Sequence, residues 1–233
     1  MSPSTPLRPA AGSQRQLWLA TALAFALLAL WDASGADMAL ARLAGNAGGF
    51  TLKSAAWATA AHTVSRYASD AVLLWLLVSI AFPTGVLRGT SRRERVWLLA
   101  VTVAAMLAVS LLKQFSTTSC PWDLQAFGGS AAQVSHWQWG TRDGGPGRCF
   151  PAGHASAGFA FMAGYFALRR RPGAARLWWL AAAGAGLALG LLQQLRGAHF
   201  ASHTLWSGWV CWVVALGSSA LLPAGDRRAP AAG

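Results

Sequence analysis

The stretch Arg196-Gly197-Ala198-His199-Phe200-Ala201-Ser202-His203 separates two long apolar runs, which cover residues 177–195 and 204–222. Each run is long enough to cross a hydrocarbon core of about 30 Å as an α-helix. Ionisable groups at membrane depth are unfavourable, so they are rare unless they pair or serve a function. The stretch therefore predicts two membrane helices joined by a polar, functional turn.

The composition supports a membrane protein. Hydrophobic residues make up 55% of the 233 residues and charged residues only 11%, and the mean hydropathy is +0.39. These values lie outside the range of ordinary soluble domains. The net charge of +12 is divided among short clusters between apolar runs, which is typical of topology signals and not of a nucleic-acid-binding surface.

Four further apolar runs are long enough to span a bilayer, so the chain is predicted to be an all-α, polytopic bundle of about six transmembrane helices. The six predicted spans cover residues 17–33, 71–86, 96–112, 155–168, 177–195 and 204–222. Between the first two, residues 52–69 are apolar on one side and carry His62 and Arg66 on the other. This pattern predicts an interfacial helix that lies on the membrane.

Arginine clusters predict the orientation of the bundle. Twelve of the nineteen lysines and arginines lie on one side of a six-span arrangement, and the positive-inside rule makes that side cytoplasmic. Residues 16–223 then form one membrane domain between disordered cytoplasmic tails at residues 1–15 and 224–233. The remaining polar clusters face outward, so we expect a bacterial inner-membrane protein with a periplasmic site. The pattern predicts the bilayer as a partner and no nucleic acid, and it leaves the oligomeric state open.

Three polar clusters share the outward face. Lys113 ends one apolar run, Pro151-Ala152-Gly153-His154 opens the next, and the stretch at residues 196–203 follows the fifth span. Lys113 alone is more typical of an anchor at the membrane boundary. Together with an arginine and two histidines, it supplies fixed positive charge for a dianion, which indicates chemistry on a phosphate.

Local geometry at two clusters favours anion binding. Pro151 suits the first turn of a helix, where its missing N–H leaves no donor unsatisfied. The free N–H groups of that turn and the positive end of the helix dipole would lie beside His154. Arg196, His199 and His203 share one helical face if their helix continues, and they stay close if it breaks between them.

The three cysteines are too few for a disulfide scaffold. Cys120 and Cys149 flank the longest polar loop, whereas Cys211 lies inside an apolar run. A Cys120–Cys149 disulfide in an oxidising compartment and two unpaired buried thiols both fit this pattern. The sequence does not decide between them.

The three clusters, in this order, resemble the motifs of the type 2 phosphatidic acid phosphatase (PAP2) superfamily, whose fold is shared with vanadium haloperoxidases. Residues 113–121 resemble its KxxxxxxRP motif, residues 151–154 its PSGH motif, and residues 199–203 the end of its SRxxxxxHxxxD motif. The chain is identified as a divergent bacterial membrane member of this family. Four positions depart from the motifs, with Cys120, Ala152, Gln193 and His203 standing where the family has Arg, Ser, Arg and Asp.

The resemblance implies a metal-independent lipid phosphatase that uses no cofactor. His199 would attack phosphorus and form a phosphohistidine, and His154 would protonate the leaving alcohol. Lys113, Arg196 and the Gly153 N–H would hold the phosphate oxygens as charge develops. The substrate would be a membrane lipid phosphate monoester or a pyrophosphate at the outer face, hydrolysed or transferred to another acceptor.

Two residues are hypothesised to replace missing motif groups. His203 can accept a hydrogen bond from the nucleophile but brings no negative charge, so Asp123 is the candidate for the orienting carboxylate. Arg148, just before the second motif, is the candidate for the cation lost at Cys120.

Two other functions also fit the sequence. His199 and His203, four residues apart, could ligate zinc with His154 or Asp123 in a metal enzyme or transporter, although neighbouring cations disfavour a metal there. A member that binds phospholipid without catalysis would also explain the motif departures. Retention of both catalytic histidines favours the phosphatase.

Overall fold

The computed structural model describes residues 11–138 and 140–222, with side chains from residue 14 onward. The predicted tails, at residues 1–15 and 224–233, lie largely outside these residues, although the first helix already begins at Ala11.

Most of the described chain is helical. Its α-helices are α1 (Ala11–Ser34), α2 (Ala36–Ala44), α3 (Ala56–Ser79), α4 (Arg92–Phe115), α5 (Gly153–Phe159), α6 (Gly164–Ala167), α7 (Pro172–Leu195) and α8 (Ala201–Ser218). A small antiparallel hairpin, β1 (Gly45–Asn46) and β2 (Gly49–Phe50), follows α2. Short 3-10 helices lie at Gly85–Leu87, Pro121–Asp123, Gln125–Phe127, Ala160–Ala163 and Ser219–Leu221.

Four helical stretches in the described residues are long and apolar enough to cross a membrane. They are Gln14–Ser34, Arg92–Phe115, Pro172–Leu195 and Ala201–Leu221, and they contain nearly all of the first, third, fifth and sixth predicted spans. The all-α polytopic bundle is therefore confirmed.

The bounds of the other two predicted spans are wrong. Helix α3 runs without a break from Ala56 to Ser79, so it merges most of the predicted interfacial helix with the start of the second span and ends before residues 80–86. The fourth predicted span is divided into α5, a 3-10 turn and α6. Apolar composition predicts that such segments are buried, but it does not predict where their helices bend.

The broken segment from α5 to α6 lies at the centre of the bundle and packs against α4, α7 and α8. Ala155 and Ala163 are fully buried, and Phe159 is 5% exposed. Small residues bring the helix backbones close, because a Cβ atom added to Gly158 would lie 2.3 Å from the backbone nitrogen of Gly186 in α7. This close approach sets the distance between α5, which begins at the second polar cluster, and α7, which ends at the third.

Helix α4 is fixed at its start. The Ser91 hydroxyl accepts a hydrogen bond from the Glu94 backbone N–H at 3.2 Å, and the Glu94 carboxylate accepts one from the Ser91 N–H at 2.8 Å. The other Glu94 oxygen lies 3.8 Å from the Arg169 guanidinium, just after α6. Such a reciprocal cap defines where a helix begins. It therefore fixes the start of the helix that carries Lys113 about five to six turns further on.

The long loop between α4 and α5 covers the end of the bundle that carries His199. Its own small core contains Leu124, Phe127 and Ala131, packed against Met38 of α2 and Phe50 of the hairpin. Cys120 and Cys149 form a disulfide that joins the two ends of this loop, which decides between the two alternatives left open by the sequence.

We expect Gly158→Ala to destabilise the protein, because its methyl group would overlap backbone atoms of α7. Unlike the end of a side chain, these atoms cannot rotate out of the way. Overpacking of this kind costs about 1–3 kcal/mol. The matched control is Gly184→Ala in α7, where an added Cβ has no atom within 4 Å. Thermal unfolding in detergent should show a lower Tm for Gly158→Ala alone, and equal Tm values for the two variants would contradict the packing described here.

Candidate active site

The turn between α7 and α8 places two histidines inside the protein. Helix α7 ends at Leu195, and Gly197 adopts a φ of +76°, a left-handed conformation that favours glycine. The Phe50 ring fills the space that a Cβ on Gly197 would need, at 2.3 Å. The helix therefore breaks between Arg196 and His199, and His199 and His203 are only 5% and 3% exposed.

Backbone hydrogen bonds join this turn to the start of α5. The Ala152 N–H donates to the His203 carbonyl at 3.1 Å, and the Ser207 hydroxyl donates to the Ala152 carbonyl at 2.9 Å. Helix α5 begins at Gly153, so Pro151 precedes the helix and does not lie in its first turn as predicted. The second and third polar clusters thus meet, as the sequence predicts.

Lys113 brings the first cluster to the same place. It lies in the last turn of α4, and its Cδ and Nζ atoms are each 3.7 Å from the position that a Cβ on Gly153 would occupy. A larger residue at position 153 would therefore stand against the ammonium group. The Lys113 ammonium group therefore lies beside the first residue of α5 and adds positive charge there.

His154 stacks on a histidine that the motifs do not include. The rings of His154 and His62 are 3.6 Å apart between centroids, with an interplanar angle of 25°. Burial, followed by the positive charges of His62, Lys113, Arg196 and Arg66, lowers the pKa of His154 to about 4. The sequence predicts that His62 and Arg66 form the polar side of an interfacial helix, and the structure places the His62 ring against His154.

Arg196 is held against the start of α3. One of its terminal nitrogens lies 3.4 Å from the Lys53 carbonyl and 3.4 Å from the Thr59 hydroxyl, and it can donate to both. Its Nε atom is buried and has no hydrogen-bond partner among the described residues. A fixed guanidinium with a free donor suits an anionic ligand.

His199 is a neutral imidazole in this environment. Burial lowers its pKa well below the ordinary value, and the charges of His203, Lys113 and His154 lower it further, against an opposing hydrogen bond to the Cys149 backbone. Its Nδ1 atom lies 3.5 Å from Sγ of Cys149, which is fully buried. A neutral ring with an available nitrogen is the form that can act as a nucleophile.

Asp123 and Arg148, the two residues hypothesised to replace missing motif groups, lie in surroundings that differ from those of His199. Asp123 ends a 3-10 helix, its backbone carbonyl accepts from Ala131 at 2.8 Å, and its carboxylate makes no hydrogen bond or ion pair with any residue the structure describes. Arg148 is exposed and lines a loop cavity of about 280 Å³ with Arg142 and Ser116. Within the described residues, no side-chain contact links Asp123 or Arg148 to His199.

The alternative zinc site, with His199, His203 and either His154 or Asp123 as ligands, is not assembled in the described part of the chain. In the described ranges, the one group of three potential ligand atoms within 4.8 Å of one another is that of Cys120, Cys149 and His199. The two cysteines are bonded to each other. His203 instead faces a cavity of about 150 Å³ that it shares with Asp32 and His136.

Asp32 at the end of α1 is a buried carboxylate that the motifs did not indicate. Its Oδ2 atom accepts hydrogen bonds from the indoles of Trp137, at 2.9 Å, and Trp206, at 2.8 Å, and it lies 3.2 Å from Nε2 of His136. These partners hold the negative charge in the cavity that His203 also lines.

Comparison with known proteins gives one match. The family model described as PAP2 superfamily matches residues 94–225, which is more than half of the chain and includes Lys113, His154 and His199. No curated protein and no solved structure shows significant similarity to the chain.

We expect His62→Phe to raise the pKa of His154, because the ring stacking is kept while a neighbouring positive charge is removed. The pKa should move from about 4 toward the ordinary value of 6.5. NMR titration of histidine-labelled protein, with the His154 signal assigned from His154→Gln, measures it. His136→Phe is the control, since His136 contributes nothing to the pKa of His154, and an unchanged or lower pKa in His62→Phe would refute the assignment.

Proposed function

The chain belongs to the PAP2 superfamily, whose members are phosphatases, and from this premise we propose that it hydrolyses a lipid phosphate monoester or pyrophosphate through a phosphohistidine. The observation that carries the proposal is the placement of a buried, neutral His199 beside Lys113 and His154. A phosphoryl group needs a nucleophile, an acid and fixed positive charge, and these three side chains supply them.

The first step breaks the phosphate ester. Since Nδ1 of His199 faces Cys149, Nε2 is the nitrogen that can attack. Its lone pair forms the P–N bond, the bond from phosphorus to the leaving oxygen breaks, and that oxygen takes a proton from His154. His154 becomes protonated when the substrate binds, because a phosphate dianion offsets the surrounding positive charges that keep the pKa of His154 low in the empty site.

The second step releases phosphate. Neutral His154 accepts a proton from water, the water oxygen bonds to phosphorus, and the P–N bond breaks to regenerate His199. Lys113 and the free Nε of Arg196 bind the non-bridging oxygens in both steps, and the Gly153 N–H adds a further donor.

The position of the site favours a lipid substrate. Lys113 lies in the last turn of one membrane-spanning helix, and His199 lies between the ends of two others. A headgroup phosphate could reach these residues while its chains stay in the hydrocarbon. An apolar cavity of about 720 Å³ between α1, α7 and α8 is lined by residues such as Leu28, Leu187 and Trp209 and suits a lipid chain. The arginine distribution supports placing the site on the outer face of a bacterial inner membrane.

We expect the protein in detergent to release inorganic phosphate from at least one member of a panel of phosphatidate, phosphatidylglycerol phosphate and polyprenyl pyrophosphate. His199→Ala should reduce kcat by roughly 10³-fold or more, because the nucleophile is lost. When the reaction with ³²P-labelled substrate is quenched rapidly without acid, the wild type should contain a labelled phosphoprotein that is stable to alkali. His199→Ala should contain none.

Two results would contradict this proposal. A folded wild type that binds the lipids without releasing phosphate would support the non-catalytic, phospholipid-binding alternative. Activity that persists in His199→Ala would remove His199 as the nucleophile.

We expect the effect of His154→Ala to depend on the leaving group. With a lipid alcohol, loss of the general acid should reduce kcat/KM by about 10²–10⁴-fold. With p-nitrophenyl phosphate, whose leaving group needs no proton, the loss should be about tenfold or less. Equal losses on both substrates would show that His154 binds phosphate and does not donate the proton, and His199→Ala is the control that should fail equally on both.

A further inference from the structure

Among the residues that the structure describes, no carboxylate contacts the ring of His199, the proposed nucleophile. His203 stands at the motif aspartate position, and its Nδ1 atom is buried with no hydrogen-bond partner in the described part of the chain. The rings of His199 and His203 are 5.8 Å apart between centroids. Nδ1 of His199 lies 3.5 Å from a sulfur atom, Sγ of Cys149, and the His199 ring also makes a hydrogen bond to the Cys149 backbone.

This sulfur is held from both sides of the loop. The Cys149 N–H donates to the Thr118 carbonyl at 3.0 Å, and Cys149 is bonded to Cys120. Two residues after Cys120, the Trp122 N–H donates to the Gly197 carbonyl at 2.9 Å. The disulfide is thus anchored to the same turn that carries His199. Sγ of Cys149 also lies 3.1 Å from the Ala198 carbonyl oxygen.

The oxidation state of this sulfur changes the hydrogen bond that it can make with Nδ1 of His199. A disulfide sulfur has no hydrogen, so it can only accept, and its contact with Nδ1 requires the proton on Nδ1. Nε2 is then left with a free lone pair. The S–H of a reduced Cys149 has two acceptors within reach, the Ala198 carbonyl oxygen at 3.1 Å and Nδ1 of His199 at 3.5 Å. Donation to Nδ1 leaves the proton on Nε2 and removes the lone pair needed for attack.

We propose that Cys149, as half of the Cys120–Cys149 disulfide, is the positioning residue that holds His199 in its Nδ1-protonated tautomer, in place of the motif aspartate. This inference rests on the proposed function, because it assigns a role toward the same nucleophile. It makes the phosphatase active when the disulfide is formed and weak when it is reduced to two thiols.

The first experiment reduces the disulfide in the full-length protein. Cys120 is partly exposed, so a phosphine reductant can attack its sulfur and break the S–S bond. Water then supplies the oxygen of the phosphine oxide and the hydrogens of the two thiols. Alkylation and intact mass confirm the reduction. We expect kcat to fall by about tenfold or more with KM within about twofold, and reoxidation to restore it. Cys211→Ala, which removes the buried free cysteine, should respond to the reductant like the wild type.

The second experiment separates positioning from loop stability. Cys120→Ala combined with Cys149→Asp places a carboxylate, which also accepts from Nδ1, at the position of the sulfur. It should keep most of the activity and be insensitive to the reductant. Cys120→Ala with Cys149→Ala should lose activity. If the disulfide served only to hold the loop, both double variants would lose activity equally, and that result would overturn the proposal.

A tautomer measurement covers the case in which the aspartate variant does not fold. Nitrogen-15 NMR of histidine-labelled wild type distinguishes a protonated Nδ1 from a protonated Nε2. We expect His199 to change from the first form to the second on reduction. An unchanged tautomer, or full activity of protein shown by mass to be reduced, would overturn the role of Cys149 and leave the phosphatase proposal intact. A wild type inactive on every substrate would reject the phosphatase proposal, while the tautomer would still test the contact.

Discussion

The backbone of the turn between α7 and α8 is the constraint on which the site depends. At a membrane boundary, peptide groups that leave a helix must find partners or lose several kcal/mol each. Here the Ala198 N–H donates to the Gln193 carbonyl at 2.8 Å, and the Gly197 carbonyl accepts from Trp122 of the covering loop. These bonds close the helix end and attach the loop in the same place. His199 and the disulfide lie close together because the hydrogen bonds that satisfy the backbone of this turn also attach the loop to it.

The charge distribution around the site is one-sided. Lys113, Arg196, Arg66 and three histidines come together from α3, α4, α5 and the α7–α8 turn. The nearby carboxylates are bonded to other groups. Asp37 accepts from Ser202, and Asp143 from Ser119. Unpaired cations in a poorly solvated site repel one another and lower the affinity of histidines for protons. A phosphate dianion removes that repulsion, so the charges of the site favour an anionic ligand.

Much of the fold and part of the site could be predicted from the sequence. Long apolar runs gave four of the spans, and the order of three polar clusters predicted the meeting of Lys113, His154 and His199. The continuity of α3 was not predictable, because polar residues such as His62 and Arg66 interrupt its hydropathy, although the His62 ring stacks on His154 inside the protein. The break between α5 and α6 was hidden for a related reason, since a segment buried on all sides has no polar stripe to reveal its period.

The sequence by itself determined that the chain is a helical membrane protein and that its polar clusters lie at one end. Consecutive spans run in opposite directions, so the end of the third, the start of the fourth and the connection between the fifth and sixth lie on the same side of the membrane. This placement depends only on the number and order of the spans. Only the tertiary structure decided which atoms surround the nucleophile. Contacts such as Cys149 to His199 and His62 to His154 join residues 50 and 92 positions apart. These contacts depend on the distances between helices, which are set where a glycine packs against the backbone of a neighbouring helix. The spacing of residues within a motif does not reveal those distances.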